Sequence, residues 1–67
     1  MIYITLNGEK FFLKKEVSIE NFLTLNNIIK NNIVIEINKV IITKNLWGKK
    51  IIKNNDIIEI ITAVGGG

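Results

Sequence analysis

The chain contains no cysteine, no histidine, no proline and no arginine. Without cysteine it can form no disulfide and offers no thiol nucleophile, and without histidine it has no imidazole base. Ordinary zinc sites need the same two residue types, so we expect no metal site. These absences exclude several classes of enzyme and favour a protein that performs no catalysis of its own.

The length of 67 residues is enough for one domain. A domain of this size hides only about 60% of the surface of its unfolded chain, which leaves little room for a buried catalytic cavity. The 48% hydrophobic content and the mean hydropathy of +0.31 argue against disorder. The longest apolar stretch, residues 57–64, is interrupted by Glu59 and Thr62 and is too short to cross a bilayer.

The first residues alternate between apolar and polar types and do not form the apolar segment of a secretory signal. The missing cysteines fit a cytosolic setting. We therefore expect a cytoplasmic protein, or a protein of the plastid stroma if its gene is organelle-encoded, with no membrane partner.

The formal net charge is +3, and every basic residue is a lysine. One hypothesis is therefore a small basic β-domain that binds nucleic acid. However, arginine is the preferred reader of phosphates and bases, and one tryptophan makes no stacking platform. The scattered lysines are better interpreted as solvated charges or as electrostatic guides to an acidic partner, so nucleic acid is not the expected partner. The six carboxylates form no obvious pair for acid–base work.

The N-terminal pattern predicts a β-hairpin followed by a helix. Residues 1–6 alternate with a period of two, and Asn7-Gly8 is the strongest short hairpin signal before the second strand, residues 9–14. Ser18 is placed to cap a helix of two to three turns, with Glu20 in its first turn. The asparagines at residues 26–27 and 31–32 weaken and then end that helix.

The C-terminal half predicts three further strands. Residues 33–37 and 40–42 flank a turn at Asn38-Lys39, and residues 57–64 form the last strand after a cluster of turn residues. The segment between them is less regular, with a compact turn around a half-buried Trp47. The order is ββαββ, a connecting turn region and then β.

This order predicts an α+β fold of the ubiquitin-like β-grasp type, a mixed sheet with one main helix packed across it. The handedness of crossover connections makes the first and last strands parallel neighbours. We assign residues 1–64 to the β-grasp domain and residues 65–67 to a flexible C-terminal glycine tail.

The C-terminal tail, residues 65–67, is the candidate functional segment. Chain ends fray by default, but Gly65, Gly66 and Gly67 supply maximal backbone freedom and no Cβ atom. Such an arm can thread into a narrow catalytic channel of a partner and place its terminal carboxylate on ATP. We predict that Gly67 carries the modified carboxylate, and that Gly65 and Gly66 are the threading lead. No residue of the chain is assigned a catalytic role.

A second candidate feature lies on the last strand beside the tail. If Ile58 and Ile60 face the core, the alternate residues face outward. Exposed apolar patches on small domains often mark partner sites. The predicted docking strip consists of Ile57, Glu59, Ile61 and Ala63.

The chain resembles the ThiS family of sulfur carriers from thiamine biosynthesis. The resemblance rests on the opening strand into Asn7-Gly8-Glu9, Phe22-Leu23 of the helix, the segment of residues 34–38, Trp47, and residues 56–60 with the closing residues 62–67. It implies that a ThiF-like adenylyltransferase uses ATP to activate the Gly67 carboxylate. A persulfide sulfur donor then yields a thiocarboxylate, which a ThiG-like thiazole synthase consumes. The resemblance implies no bound cofactor on the carrier itself.

Two related functions stay open at this point. The molybdopterin sulfur carriers of the MoaD type share the fold and the diglycine end, but are usually longer and have prolines before their final residues. A ubiquitin-like modifier that ends in an isopeptide bond is the other. The approach to the tail here, Ile60-Ile61-Thr62-Ala63-Val64, favours the thiamine branch.

Overall fold

The computed structural model of the chain describes residues 1–62. Within that range it contains one α-helix, one short 3₁₀ helix and seven strands, in the order ββ–β–α–ββ–3₁₀–β–β. The strands are β1 (Ile2–Leu6), β2 (Glu9–Leu13), β3 (Val17–Ser18), β4 (Ile33–Ile37), β5 (Val40–Ile42), β6 (Ile51–Ile52) and β7 (Ile57–Thr62). The helix α1 spans Ile19–Leu25, and the 3₁₀ helix spans Lys44–Leu46.

Five strands form one mixed sheet in the order β2-β1-β7-β4-β5. The central pair, β1 and β7, is parallel, and all other neighbours are antiparallel. The predicted α+β fold and its parallel central pair are therefore confirmed. A second sheet of two short strands, β3 and β6, was not predicted.

Both predicted hairpin turns form, because asparagine tolerates a left-handed backbone. Asn7 and Gly8 have φ of 49° and 82°, and Asn38 and Lys39 have φ of 53° and 69°. Positive φ at both central residues is the type I′ geometry, which matches the twist of the strands on either side. The two turns fix the registers of β1 with β2 and of β4 with β5.

The helix begins at the predicted cap and has the shorter of the two expected lengths. The Ser18 side chain accepts a hydrogen bond from the Asn21 amide at 3.1 Å, and Asn26 closes the helix after seven residues. Glu20 in the first turn forms an ion pair with Lys30. The helix has two turns, the shorter of the expected lengths, because residues 26–29, with two adjacent asparagines, leave the helical path. Among residues 1–62, no helix is long and apolar enough to span a bilayer.

The core lies between the helix and one face of the sheet. It is formed by ten buried side chains: Ile2, Ile4, Ile19, Phe22, Leu23, Ile35, Ile37, Trp47, Ile52 and Ile58. The helix contributes three of them, Ile19, Phe22 and Leu23. The ring of Phe11 meets that of Phe22 edge-on, with centroids 5.9 Å apart. The opposite, outer face of the sheet carries no helix of residues 1–62, and it is this face that bears the candidate site.

Trp47 corrects one expectation. It was expected to be half-buried in a compact turn, but only 2% of its surface is exposed. Its indole Nε1–H donates to the Ile42 carbonyl at 2.9 Å, and its own carbonyl accepts from the Glu20 amide at 3.0 Å. The turn region therefore closes one end of the core and holds the start of the helix.

Candidate functional site: the last strand and the outer sheet face

Strand β7 lies at the centre of the sheet, and it leads directly to the predicted tail. It pairs with β1 on one side through two residues only, Thr5 with Ile57 and Leu6 with Ile58. On the other side it pairs with β4 over five residues, from Ile58 opposite Ile37 to Thr62 opposite Ile33. The second half of β7 is therefore supported by β4, while β1 has already ended.

An asparagine side chain continues the support where β1 ends. The Asn7 amide N–H donates to the Ile58 carbonyl at 2.9 Å, and the Asn7 side-chain oxygen accepts from the Ile60 amide at 2.8 Å. The hairpin turn thus replaces the missing ladder partner of β7 for two more residues. It fixes the strand at Ile60, two residues before the last described residue.

A second asparagine holds the start of β7. Asn38, in the turn between β4 and β5, accepts from the Ile57 amide at 2.9 Å, and its side-chain amide donates to Asp56 at 3.0 Å. Asp56 in turn accepts from the Lys53 amide at 2.8 Å. Polar side chains from the two neighbouring turns therefore fix the start of the strand at Ile57 and its second half at Ile60.

Replacing Asn7 separates the two contributions of this residue. Asn7→Ala loses the bond to Ile60 and places a Cβ-bearing residue without a local polar side chain at positive φ, so we expect a cost of about 2 kcal/mol. Asn7→Gly loses only the hydrogen bond and should cost about 1 kcal/mol. Urea unfolding followed by Trp47 fluorescence measures both values. Equal stability of wild type and Asn7→Gly, with unchanged amide exchange at Ile60, would contradict the role of this side chain.

The predicted docking strip is on the outer face as far as the structure describes it. Ile57 and Ile61 are 51% and 46% exposed, and Glu59 between them is also exposed. Ile58 is buried and Ile60 packs against the core, as the alternation predicted. Ala63 and the tail residues Gly65, Gly66 and Gly67 lie outside the described residues, so their proposed roles stay predictions.

The exposed apolar surface is wider than that strip. Tyr3 lies directly opposite Phe12, and the two are 61% and 58% exposed. On the other side of β7, Val34 lies opposite Ile61 and is 36% exposed. Strand alternation predicted the outward direction of each residue, but only the register shows which of them lie side by side.

Glu36 also belongs to this face, although the sequence indicated only an ordinary surface charge. Glu36 of β4 lies directly opposite Glu59 of β7, and Ile41 of β5 lies opposite Glu36 on its far side. Two carboxylates therefore stand next to each other in the middle of an apolar surface. Within residues 1–62 no group of three or more acidic side chains is arranged to hold a metal ion.

Comparison with known proteins assigns the family. The ThiS family model matches residues 3–67, nearly the whole chain. The chain belongs to the ThiS family. This match includes the tail residues, which the geometry of residues 1–62 does not reach.

Relatives and solved structures agree with that family. The chain is 36% identical to an uncharacterized protein ycf40 of Trieres chinensis over 92% of this chain and 85% of the relative. It is also 36% identical to the ycf40 protein of Porphyra purpurea, over 98% and 93%. The crystal structure of the thiamine biosynthesis protein ThiS from Geobacter metallireducens matches with a TM-score of 0.88 at 17% identity, covering 98% of this chain and all of that one. This structural likeness supports the ubiquitin-like β-grasp fold of the ThiS family member described here.

Proposed function

We propose that this ThiS family member is a sulfur carrier of thiamine thiazole biosynthesis and acts as a cosubstrate of partner enzymes. The observation that carries the proposal is the match of the family model through to Gly67, on a chain without cysteine or histidine. In this function the protein supplies a terminal carboxylate, while its partners supply the acid, base and nucleotide sites.

The chemical cycle starts at Gly67. A carboxylate is a poor electrophile, so a ThiF-like adenylyltransferase first joins it to AMP from ATP and releases pyrophosphate. A persulfide sulfur donor then attacks the acyl carbon and displaces AMP. Reductive cleavage of the resulting acyl disulfide by a thiol releases the thiocarboxylate, which a ThiG-like thiazole synthase uses as its sulfur source.

The fold suits a carrier that presents its C-terminal residues to partner enzymes. The Asn38 and Asn7 side chains hold strand β7 at Ile57 and Ile60, and the last described residue, Thr62, is placed in the sheet by its pairing with Ile33. A partner that binds the outer face therefore receives the following five residues from a known starting point. Gly65 and Gly66 would thread the channel, and Ile57, Glu59, Ile61 and Ala63 would form part of the docking surface.

Intact-mass spectrometry tests the proposed function. The protein is incubated with the ThiF-like enzyme of the same organism, ATP, and a cysteine desulfurase with cysteine and a thiol reductant. We expect a mass increase of one oxygen-to-sulfur exchange, confined to the C-terminal peptide. Omitting ATP is the control and should leave the mass unchanged. Sulfur gained without ATP, or on another peptide, would overturn the proposal.

A further inference from the structure

The centre of the outer sheet face is occupied by two like charges that no lysine neutralises. Glu36 and Glu59 lie directly opposite each other on adjacent strands, a position in which Cβ atoms are about 4.5–5.5 Å apart. The side chain of Glu36 is half-buried and that of Glu59 is exposed. Like charges in this position destabilise a sheet, so the arrangement lowers the free energy of unfolding of the domain when no partner is bound.

The chain has the lysines to neutralise this pair but does not use them. Nine lysines give it a net charge of +3, and within residues 1–62 the one ion pair is between Lys30 and Glu20. Lys39 lines a recess of about 210 Å³ together with Glu59 and Ile57, but it makes no ion pair with Glu59. Neither glutamate side chain accepts a hydrogen bond from residues 1–62.

The surroundings of the pair are apolar. On the outer face, exposed aliphatic residues lie beside the glutamates along β7, β4 and β5: Ile57, Ile61, Val34 and Ile41. Such a surface, covered by a partner, would exclude water from the two carboxylates. Charges in a water-excluded contact interact much more strongly with a fixed opposite charge than they do in solvent.

We propose that the outer face binds a protein surface on which one basic side chain stands among apolar residues, and that Glu36 and Glu59 together receive this side chain. An arginine suits the site, because its planar guanidinium has five donors and can bridge two carboxylates that lie side by side. The apolar rim supplies contact area, and the glutamate pair rejects partners that lack a cation there. This inference rests on the proposed function, in which the ThiF-like adenylyltransferase is a partner that binds this face.

The test compares two double variants that remove the same charge. Glu36→Gln with Glu59→Gln neutralises the outer face. Glu9→Gln with Glu16→Gln is the matched control, because Glu9 lies opposite Leu6 of the core side and Glu16 precedes β3. Isothermal titration calorimetry measures the Kd of each for the ThiF-like enzyme over a range of salt concentrations.

We expect the outer-face variant to bind at least about tenfold more weakly, equivalent to about 1.4 kcal/mol, and the control to bind like wild type. The Kd of wild type should rise with salt, and this dependence should flatten only in the outer-face variant. The urea midpoint of the same outer-face double variant should be higher than that of wild type, because the like-charge repulsion is gone, and this rules out unfolding as the cause of weaker binding.

Three other outcomes are decisive in different ways. Wild-type affinity in the outer-face variant, together with normal sulfur transfer, overturns this inference and leaves the proposed function intact. Equal losses in both double variants show a bulk charge effect and also overturn it. A wild-type protein that the ThiF-like enzyme neither binds nor modifies overturns the proposed function and this inference with it.

Discussion

Deleting Gly66 and Gly67 should abolish sulfur acquisition completely while the domain stays folded. The reacting carboxylate would then belong to Gly65, two residues nearer the sheet, and could not reach the nucleotide of the partner. The sheet itself is complete without these residues, because its last ladder pair joins Ile33 to Thr62. Intact-mass spectrometry should show no sulfur, and the urea midpoint should equal that of wild type.

A substitution separates the effect of the length of the tail from the effect of side-chain bulk within it. Gly66→Val keeps the length and the terminal carboxylate but puts a β-branched side chain into the proposed channel. A misplacement of about 1 Å at a reacting group costs on the order of a hundredfold in rate, so we expect a loss of about that size. Gly48→Ala is the matched glycine control, since a Cβ at residue 48 has no atom within 4 Å.

These variants test two separate hypotheses, that Gly67 carries the sulfur and that the tail threads into a narrow channel. Sulfur on the chain that lacks Gly66 and Gly67 would mean that another group accepts it. A normal rate in Gly66→Val would mean that the partner reads the end of the chain in an open site, and that three glycines are not needed for threading.

The elements that the sequence predicted well are those with a strong local signal. Asn7-Gly8 and Asn38-Lys39 produced type I′ turns because the positive φ that asparagine tolerates is a local property. The alternation along residues 57–62 predicted which side chains enter the core, because the strand period has only two phases. With these elements in order, the β-grasp topology followed.

The elements that the sequence missed depend on contacts between distant residues. Strands β3 and β6 have two residues each, too few to show any periodicity, and they form because each supplies the other's hydrogen bonds. Trp47 is buried because its segment folds back over the helix start, 27 residues away at Glu20. No local pattern around residue 47 carries that information.

The outer face shows the same limit. The alternation along each strand predicted which side chains point outward. That Glu36 lies opposite Glu59 depends on the register between β4 and β7, which the alternation does not give. Asn7 and Asn38 were predicted as turn residues. Their side chains also accept hydrogen bonds from amides of β7, which only the three-dimensional structure shows. The candidate site therefore became specific only when strand order and register were known.

Trp47→Ala should have the largest effect on stability. The side chain is among the largest that are fully buried, and truncating a buried tryptophan costs about 3–5 kcal/mol. Small domains have about 0.05–0.15 kcal/mol of stability per residue, so the whole reserve of a chain of this length is roughly 3–10 kcal/mol. We expect a domain that is largely unfolded or close to it, as measured by urea denaturation with circular dichroism.

Trp47→Phe is the matched control for this loss. Phenylalanine keeps an aromatic ring in the cavity but cannot donate to the Ile42 carbonyl, so we expect a smaller cost of about 1–3 kcal/mol. The functional readout also differs from that of the tail variants. Sulfur acquisition by Trp47→Ala should recover in trimethylamine N-oxide, an osmolyte that favours the compact state without screening charges, whereas no cosolvent can replace the two glycines removed from the tail. A wild-type urea midpoint in Trp47→Ala would contradict the assignment of this residue to the core.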